Sequence, residues 1–462
     1  MHSRSSGFKA PRPRSFRLAA ALLLAAYPGV AAAADGPALF GIPVEFILFA
    51  ATLVGVALFH HHTLRVALTG LAAIALYKLA FTGFRPGPGI AGFAAHMHHE
   101  WVILTNLLCL LVGFALLSNH FERSHVPQVL PRFLPDDWKG CFALLTVIFV
   151  LSGFLDNIAA ALIGGTIAAT VFRGKVHIGY LAAIVACSNA GGAGSVVGDT
   201  TTTMMWLDGV SPLKVLDAYV AAAVALVVCG IPASLQQQRY APIMKDEGRH
   251  PPVDWSRIAI VALILVAAIG TNVTVNLRFK HLADYFPFIG VAVWVVIVAC
   301  AGWRRPQWSL VPEAFKGSIF LLALVTCASL MPVEKLPPAS WQSSFALGFI
   351  SSVFDNIPLT ALALKQGGYD WGLLAYAVGY GGSMIWFGSS AGVAISNMYP
   401  QARSVGLWLR HGWHVPIAYV AGFLVMVALL GWHPDPHHRV KKVAAPEASV
   451  PAQQALRAPV SP

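Results

Sequence analysis

Long apolar runs separated by short polar stretches leave this chain one way to fold. Hydrophobic residues make up 57% of it and charged residues 11%, against roughly 25% charged in a soluble domain. The runs are about twenty residues long, the length a helix needs to cross the hydrocarbon core. Inside that core the backbone must satisfy its own hydrogen bonds, which favours helices. The expected fold is an all-α polytopic membrane protein, with the lipid bilayer as its first partner. The net charge of +11 could suggest nucleic acid. Lys and Arg, however, sit in the inter-span loops and at both ends, where they read as topology signals and basic tails, so no nucleic-acid partner is expected. The six cysteines (Cys109, Cys141, Cys187, Cys229, Cys300, Cys327) lie within or beside apolar runs without metal-type spacing. They read as small buried thiols.

Two of the apolar blocks carry the same interruption. One reads Ser152-Gly153-Phe154-Leu155-Asp156-Asn157-Ile158, the other Ser351-Ser352-Val353-Phe354-Asp355-Asn356-Ile357. A second pair follows: Gly191-Gly192-Ala193-Gly194-Ser195-Val196-Val197-Gly198 and Gly381-Gly382-Ser383-Met384-Ile385-Trp386-Phe387-Gly388. The spans around them also recur. Helices are expected at about 39–59, 65–84 and 101–118, a re-entrant hairpin over about 141–172 with its tip at Asp156-Asn157, a broken span at 178–207 and a helix at 214–234. The second half repeats this at about 257–276, 286–303 and 317–332, then a hairpin at 341–364, a broken span at 371–398 and a helix near 406–431. The divisions are therefore 1–34, 35–234 as the first repeat, 235–256 as a cytoplasmic linker, 257–432 as the second repeat, and 433–462 as a disordered tail rich in Pro, Ala and His. Residues 1–34 combine a basic start, a short apolar stretch and Ala31 to Ala34. They read as a bacterial secretory signal peptide or a retained signal-anchor helix.

Loop charges set the orientation. With Asp35 outside, the loops at 60–65, 119–139, 173–177, 235–256 and 304–316 fall inside and carry most of the Lys and Arg. The first hairpin then enters from the cytoplasm and the second from outside, so the repeats are inverted. The tail, with Arg439, Lys441 and Lys442, lands outside against the rule.

A carboxylate in hydrocarbon costs roughly 2.5–3.5 kcal/mol or more, so Asp156 and Asp355 are functional candidates by default. They are also natural N-caps for the second hairpin arms, and Asn157 and Asn356 can satisfy exposed tip backbone. Capping does not exclude ligating an ion. Gly191, Gly192, Gly198, Gly381, Gly382 and Gly388 would unwind their helices and expose carbonyls to Na+, or simply allow close helix packing. Asp199, followed by Thr200 to Thr203, adds a third carboxylate with hydroxyls, either an N-cap or a set of hard oxygen ligands. Gly388-Ser389-Ser390-Ala391-Gly392 matches the hydrolase elbow G-x-S-x-G, with His411 and His414 downstream. The elbow needs a strand before it, and an intramembrane serine hydrolase is a remote reading. The histidines at 60–62 and 96–99 fall in expected loops at the interface. Trp206 and Trp386 read as packing or interface anchors.

The strings around Ser152-Asp156-Asn157, Gly191-Gly192 through Thr203-Met204-Met205-Trp206, Asp355-Asn356-Ile357-Pro358 and Gly381-Gly382-Ser383 through Gly392-Val393-Ala394 resemble the NhaD-type sodium/proton antiporters. These belong to the ion transporter superfamily, with citrate/dicarboxylate carriers and arsenite permeases. The likeness spans most of 141–398. It implies functional positions at Ser152, Asp156, Asn157, Asp199, Thr201, Thr202, Ser351, Asp355, Asn356, Ser383 and Ser389, with Na+ at Asp156, Asn157, Asp199, Asp355 and Asn356. It also implies opposed hairpins, a homodimer, an elevator-like displacement and residence in the bacterial inner membrane. The first glycine loop departs from the family, which often has Trp-Ser-Pro where this chain has Gly194-Ser195-Val196.

The residues themselves favour a cation. An anionic substrate needs donors, helix N-termini or Lys/Arg, yet no Lys or Arg is near a hairpin tip or glycine loop in sequence. Carboxylates in a medium of low dielectric repel a di- or tri-anion by several kcal/mol. They can hold Na+ or Li+, or a proton when empty, which gives antiport with Na+ and H+ as transported ions and no cofactor. The competing expectation is a Na+-coupled citrate- or dicarboxylate-type carrier, in which these oxygens hold only the coupling ion.

Overall fold

The computed structural model describes residues 37–39, 41–59, 62–244, 252–279 and 282–435. The expected N-terminal signal, and the tail beyond 435, lie outside the described residues. Among the described residues, regular structure is helical apart from two two-residue strands, Ala38–Leu39 and Ile42–Pro43, and an isolated bridge between Phe84 and Gly87.

The first half contains α1 (Val44–Leu58), α2 (Thr63–Tyr77, continued by a π turn to Thr82) and α3 (Gly89–Glu122). A hairpin follows, α4 (Trp138–Ser152) and α5 (Asn157–Val171), then α6 (Ile178–Ala193), α7 (Thr200–Leu207) and α8 (Ala218–Tyr240). The second half gives α9 (Trp255–Arg278), α10 (Phe288–Cys300) and α11 (Val311–Ser329). Its hairpin is α12 (Trp341–Ser351) and α13 (Asn356–Gln366). After it come α14 (Trp371–Gly381), α15 (Ser390–Met398), α16 (Val405–His411) and α17 (His414–Leu430). Among the described residues, five helices are long and apolar enough to cross a membrane, or six if α16 and α17, bent by 60°, form one span.

Side-chain caps place several of the starts. Asp137 accepts from Lys139 N ahead of α4, Asp254 from Ser256 N ahead of α9, and Asp370 from Leu373 N ahead of α14. Ser340 and Ser343 form a reciprocal capping box at α12. Each satisfies an otherwise orphaned backbone donor, typically contributing about 1 kcal/mol.

Some expected boundaries move. α3 begins at Gly89, not near 101, because small and apolar residues continue the helix upstream, so His96, His98 and His99 are helical rather than in a loop. α8 runs to Tyr240 and carries Gln236 to Arg239 with it, where the sequence suggested linker. Gln237 is buried there, its side chain bonded to His177 N and to the carbonyls of Lys175 and Ala241. At the far end, His433 N donates to Asp370 and Asp435 pairs with Lys214, so residues 433–435 dock on the helices.

The helices pack as two bundles. α1, α2, α3, α9, α10 and α11 form one; α4, α6, α8, α12, α14 and α17 form the other, with α5 and α15 against it. α7 and α13 touch both bundles. Hydrogen bonds sort the loops into two groups. Asn119 meets Gln307, Asp254 meets Arg304 and Ser124, and Met244 meets Val171 in one group. Arg85 meets Glu334, Lys365 meets Glu100, and Gln366 meets Pro337 in the other.

Candidate functional site

The two interruptions fold in the same way. Asp156 and Asp355 cap the second arms of their hairpins at φ −53°, ψ 139° and φ −53°, ψ 140°, and each accepts from the backbone N two residues on. The last serine of each first arm ties the hairpin to the neighbouring helix. Ser152 Oγ donates to Ser188 O at 2.5 Å, and Ser351 Oγ to Val378 O at 2.7 Å.

The glycines serve close approach. A methyl group at Gly191 would collide with the carbonyl of Phe149, at Gly198 with that of Ser152, at Gly381 with that of Gly348 and at Gly388 with that of Ser352. A methyl at Gly192 or Gly382 would press on the carbonyl of Gly198 or Gly388. Gly191, Gly192 and Gly381 remain helical in the last turns of α6 and α14, Gly382 is the C-cap of α14, and the chain unwinds only after these pairs. Their purpose at these positions is to let the hairpin's first arm lie against the broken helix. The Gly191 carbonyl also has a protein donor, Tyr219 Oη at 3.0 Å.

Each broken helix restarts on a side-chain cap. Asp199 Oδ1 accepts from Thr201 N and Thr201 Oγ1, both at 2.9 Å, and Ser389 Oγ accepts from Gly392 N. Thr202 Oγ1 donates to Ser195 O and Asp199 O, so it braces the glycine loop. The halves meet at Asn189. Its Nδ2 donates to Ser383 Oγ at 2.9 Å and Ser389 Oγ at 3.1 Å. Its Oδ1 accepts from Asn157 Nδ2 at 3.0 Å, and Asn157 also reaches Asp199 Oδ2 at 3.3 Å. In the second half, Ser390 Oγ donates to Asp355 Oδ2 at 3.3 Å.

Of the expected site residues, Asp156, Asn157, Asp199 and Asn356 line one cavity of about 500 Å³, together with Ser390. Its walls come from α3, α5, α7, α11, the start of α13 and both ends of α15, and it reaches the exposed Glu122. No lysine or arginine lines it. Asp355 adjoins it through Ser390. Ser152, Ser351, Thr201, Thr202, Ser383 and Ser389 lie behind this lining and hold it in place. Asp156 with Asp199, and Asp199 with Asp355, are near enough to repel each other. Among the described residues, however, no three His, Cys, Asp or Glu side chains converge on one point. A cation here would need amide, hydroxyl or carbonyl oxygen beside its carboxylates.

Reading the sequence for duplication missed Asn189, Ser390 and Tyr219. Asn189 is the polar residue of Ser188-Asn189-Ala190 just before a double glycine, but its counterpart is Gly379, so the comparison of halves passes over it. The elbow-like Gly388-Ser389-Ser390 follows a turn, not a strand, and its serines serve as a cap and as the partner of Asp355. His414 is spent on Cys229 Sγ at 3.3 Å, and His411 stands against the ring of His177.

No family model matches the chain. It is 28% identical over 289 residues to sodium/proton antiporter 1 of Arabidopsis thaliana, an alignment covering 54% of this chain and 49% of that protein. It is 26% identical over 357 residues to the Na(+)/H(+) antiporter NhaD of Vibrio parahaemolyticus, covering 65% and 84% respectively. The NhaD antiporter of Alkalimonas amylolytica is 25% identical over 331 residues, covering 62% and 67%. The chain thus spans about half the length of the Arabidopsis relative and two thirds or more of the bacterial ones. These relatives are named as transporters, and none as an enzyme. The chain is thus similar to the NhaD-type sodium/proton antiporters, and the duplicated Asp-Asn caps and paired broken helices stand beside that likeness.

Proposed function

We propose that the chain is a secondary active Na+(Li+)/H+ antiporter. Its carboxylates Asp156, Asp199 and Asp355, with Asn157 and Asn356, would form a midplane site that holds either the metal cation or protons. The observation that carries this reading is the cavity lining, which has carboxylate, amide and hydroxyl oxygens and no Lys or Arg. Hard oxygens suit Na+. A citrate or dicarboxylate ion would meet uncompensated negative charge, about 4 kcal/mol for two unit charges 4 Å apart at an effective dielectric of 20. Exchange then follows from shared ligands. An oxygen that binds a proton releases the cation, and the reverse, so the site crosses loaded with one or the other.

The two halves are read as inverted repeats, in support of which stand the matched caps and the sorting of loops into two groups. The Lys/Arg-rich group, with Arg123, Arg132 and Arg304, is assigned to the cytoplasm, which makes the cavity inward-facing. The chain is assigned to the bacterial inner membrane, as a homodimer, which cross-linking in native membranes tests.

Vesicles reconstituted with the purified chain and given an imposed pH gradient decide the substrate. A lumenal pH dye should respond to added Na+ or Li+ and not to citrate. A response to citrate that needs Na+ would favour the carrier reading instead.

A further inference from the structure

The halves present equivalent elements, yet the seams they make with the first bundle differ. α13, the second arm of the second hairpin, packs along α11. Its counterpart α5 touches α3 only marginally, and the 500 Å³ cavity separates them, with α3 on one wall and α5 on another. One seam is shut and the other open. The shut side carries a charged tie: Lys365 Nζ, in the last turn of α13, lies 2.6 Å from Glu100 Oε1 of α3. The Glu100 side chain is 5% exposed and that of Lys365 24%. One turn earlier on α3, His96 Nε2 is 3.0 Å from Ser329 Oγ at the end of α11, so the carboxylate stands on a part of the bundle that is itself pinned.

We propose that the Glu100–Lys365 pair is a latch on conformational exchange. It holds the α11–α13 side shut while the α3–α5 side is open, and it breaks when the two sides exchange states. The inference rests on the transporter reading, because a transported ion must be reached from both ends in turn, but it does not depend on which ion is carried. A carboxylate buried this deeply is stable only while paired, and removing its partner leaves an uncompensated charge that penalises the closed arrangement. Opening lets water reach both groups, and Lys365 already borders solvent. Neutralising either residue therefore favours the exchanged state.

The test reads accessibility, not transport. Single cysteines are placed at Ala115, on the α3 wall of the cavity, and at Leu364, buried beside Lys365, in a chain whose six native cysteines are replaced. Each is modified with a membrane-impermeant maleimide in vesicles of both orientations. In the parent, Ala115→Cys should react from the Glu122 side and Leu364→Cys only slowly from the other. E100Q and K365Q should each raise the ratio of the Leu364 rate to the Ala115 rate about tenfold, equivalent to about 1.4 kcal/mol. The charge exchange E100K/K365E should return it to within about threefold of the parent. If E100Q does not fold, K365Q alone decides, because its side chain is the more exposed. An unchanged ratio, including one accompanied by lower thermal stability, would show that the pair only staples the fold and would overturn the latch. Sodium-driven proton movement is not measured here, so its failure in the vesicle assay leaves this result standing.

Discussion

Replacing Asn189 with alanine tests whether the site is one unit or two. The Asn189 amide makes three hydrogen bonds, to Ser383, Ser389 and Asn157, and its residue is fully buried. A buried hydrogen bond contributes about 1 kcal/mol net, so the three together set an upper figure of about 3 kcal/mol. Part of this is recovered. The serine hydroxyls can rotate toward other acceptors, and Asn157 keeps its bond to Asp199 at 3.3 Å. The expected loss is therefore about 2 kcal/mol, seen as a thermal midpoint several degrees lower in detergent, read by size-exclusion of heated samples. The functional loss should be larger than the loss of stability suggests. Without the amide, Asn157 is held by Asp199 alone and loses the 3.0 Å bond to Asn189 that helps orient it, so sodium-driven proton movement in vesicles should fall at least tenfold. Gln at this position should not rescue it, since its longer arm displaces both serines. An Asn189→Ala chain that keeps its thermal midpoint and its sodium response would refute the idea that this residue joins the two halves.

Three further outcomes are expected. Asp156→Asn and Asp355→Asn should each abolish sodium-driven proton movement and leave a folded, membrane-inserted chain; near-normal exchange in either would reduce that carboxylate to a helix cap. Apparent sodium affinity should rise with pH between roughly pH 6 and 9, because protons competing for the same carboxylate oxygens are withdrawn as pH rises. A flat profile would instead favour a coupling-ion site that never protonates. Cysteines at Lys175 and Lys335, in loops that adjoin the first and second hairpins, should be labelled from the cytoplasm and from outside respectively, and labelling of both from one face would break the inverted-repeat assignment.

What was legible in the sequence is what the bilayer forces. Helices, hairpin tips and the breaks after Gly192 and Gly382 leave marks because a polar residue or a paired glycine in an apolar run must be accounted for locally. Asp156 and Asp355 could be placed at caps for that reason, and both are caps. The helix ends were less legible. α8 extends past its apolar stretch because Gln237 finds three buried partners, and such tertiary satisfaction of a polar side chain leaves no trace in periodicity.

The remaining gap has a different origin: duplication reports symmetry, and the candidate site also contains departures from it. Asn189 faces a glycine in the repeat alignment, and Asp199 faces Ser389, so the two broken helices bring different side chains to the place where the halves meet. The first glycine loop is braced by Ser195 on Gly153 O, Thr202 on Ser195 O and Thr203 on Val196 O. In the second, Trp408 Nε1 donates to Ser383 O at 3.3 Å and Asn189 Nδ2 to Ser383 Oγ at 2.9 Å. The bracing of the two glycine loops therefore differs between the halves. The same asymmetry separates the shut α11–α13 seam from the open α3–α5 seam.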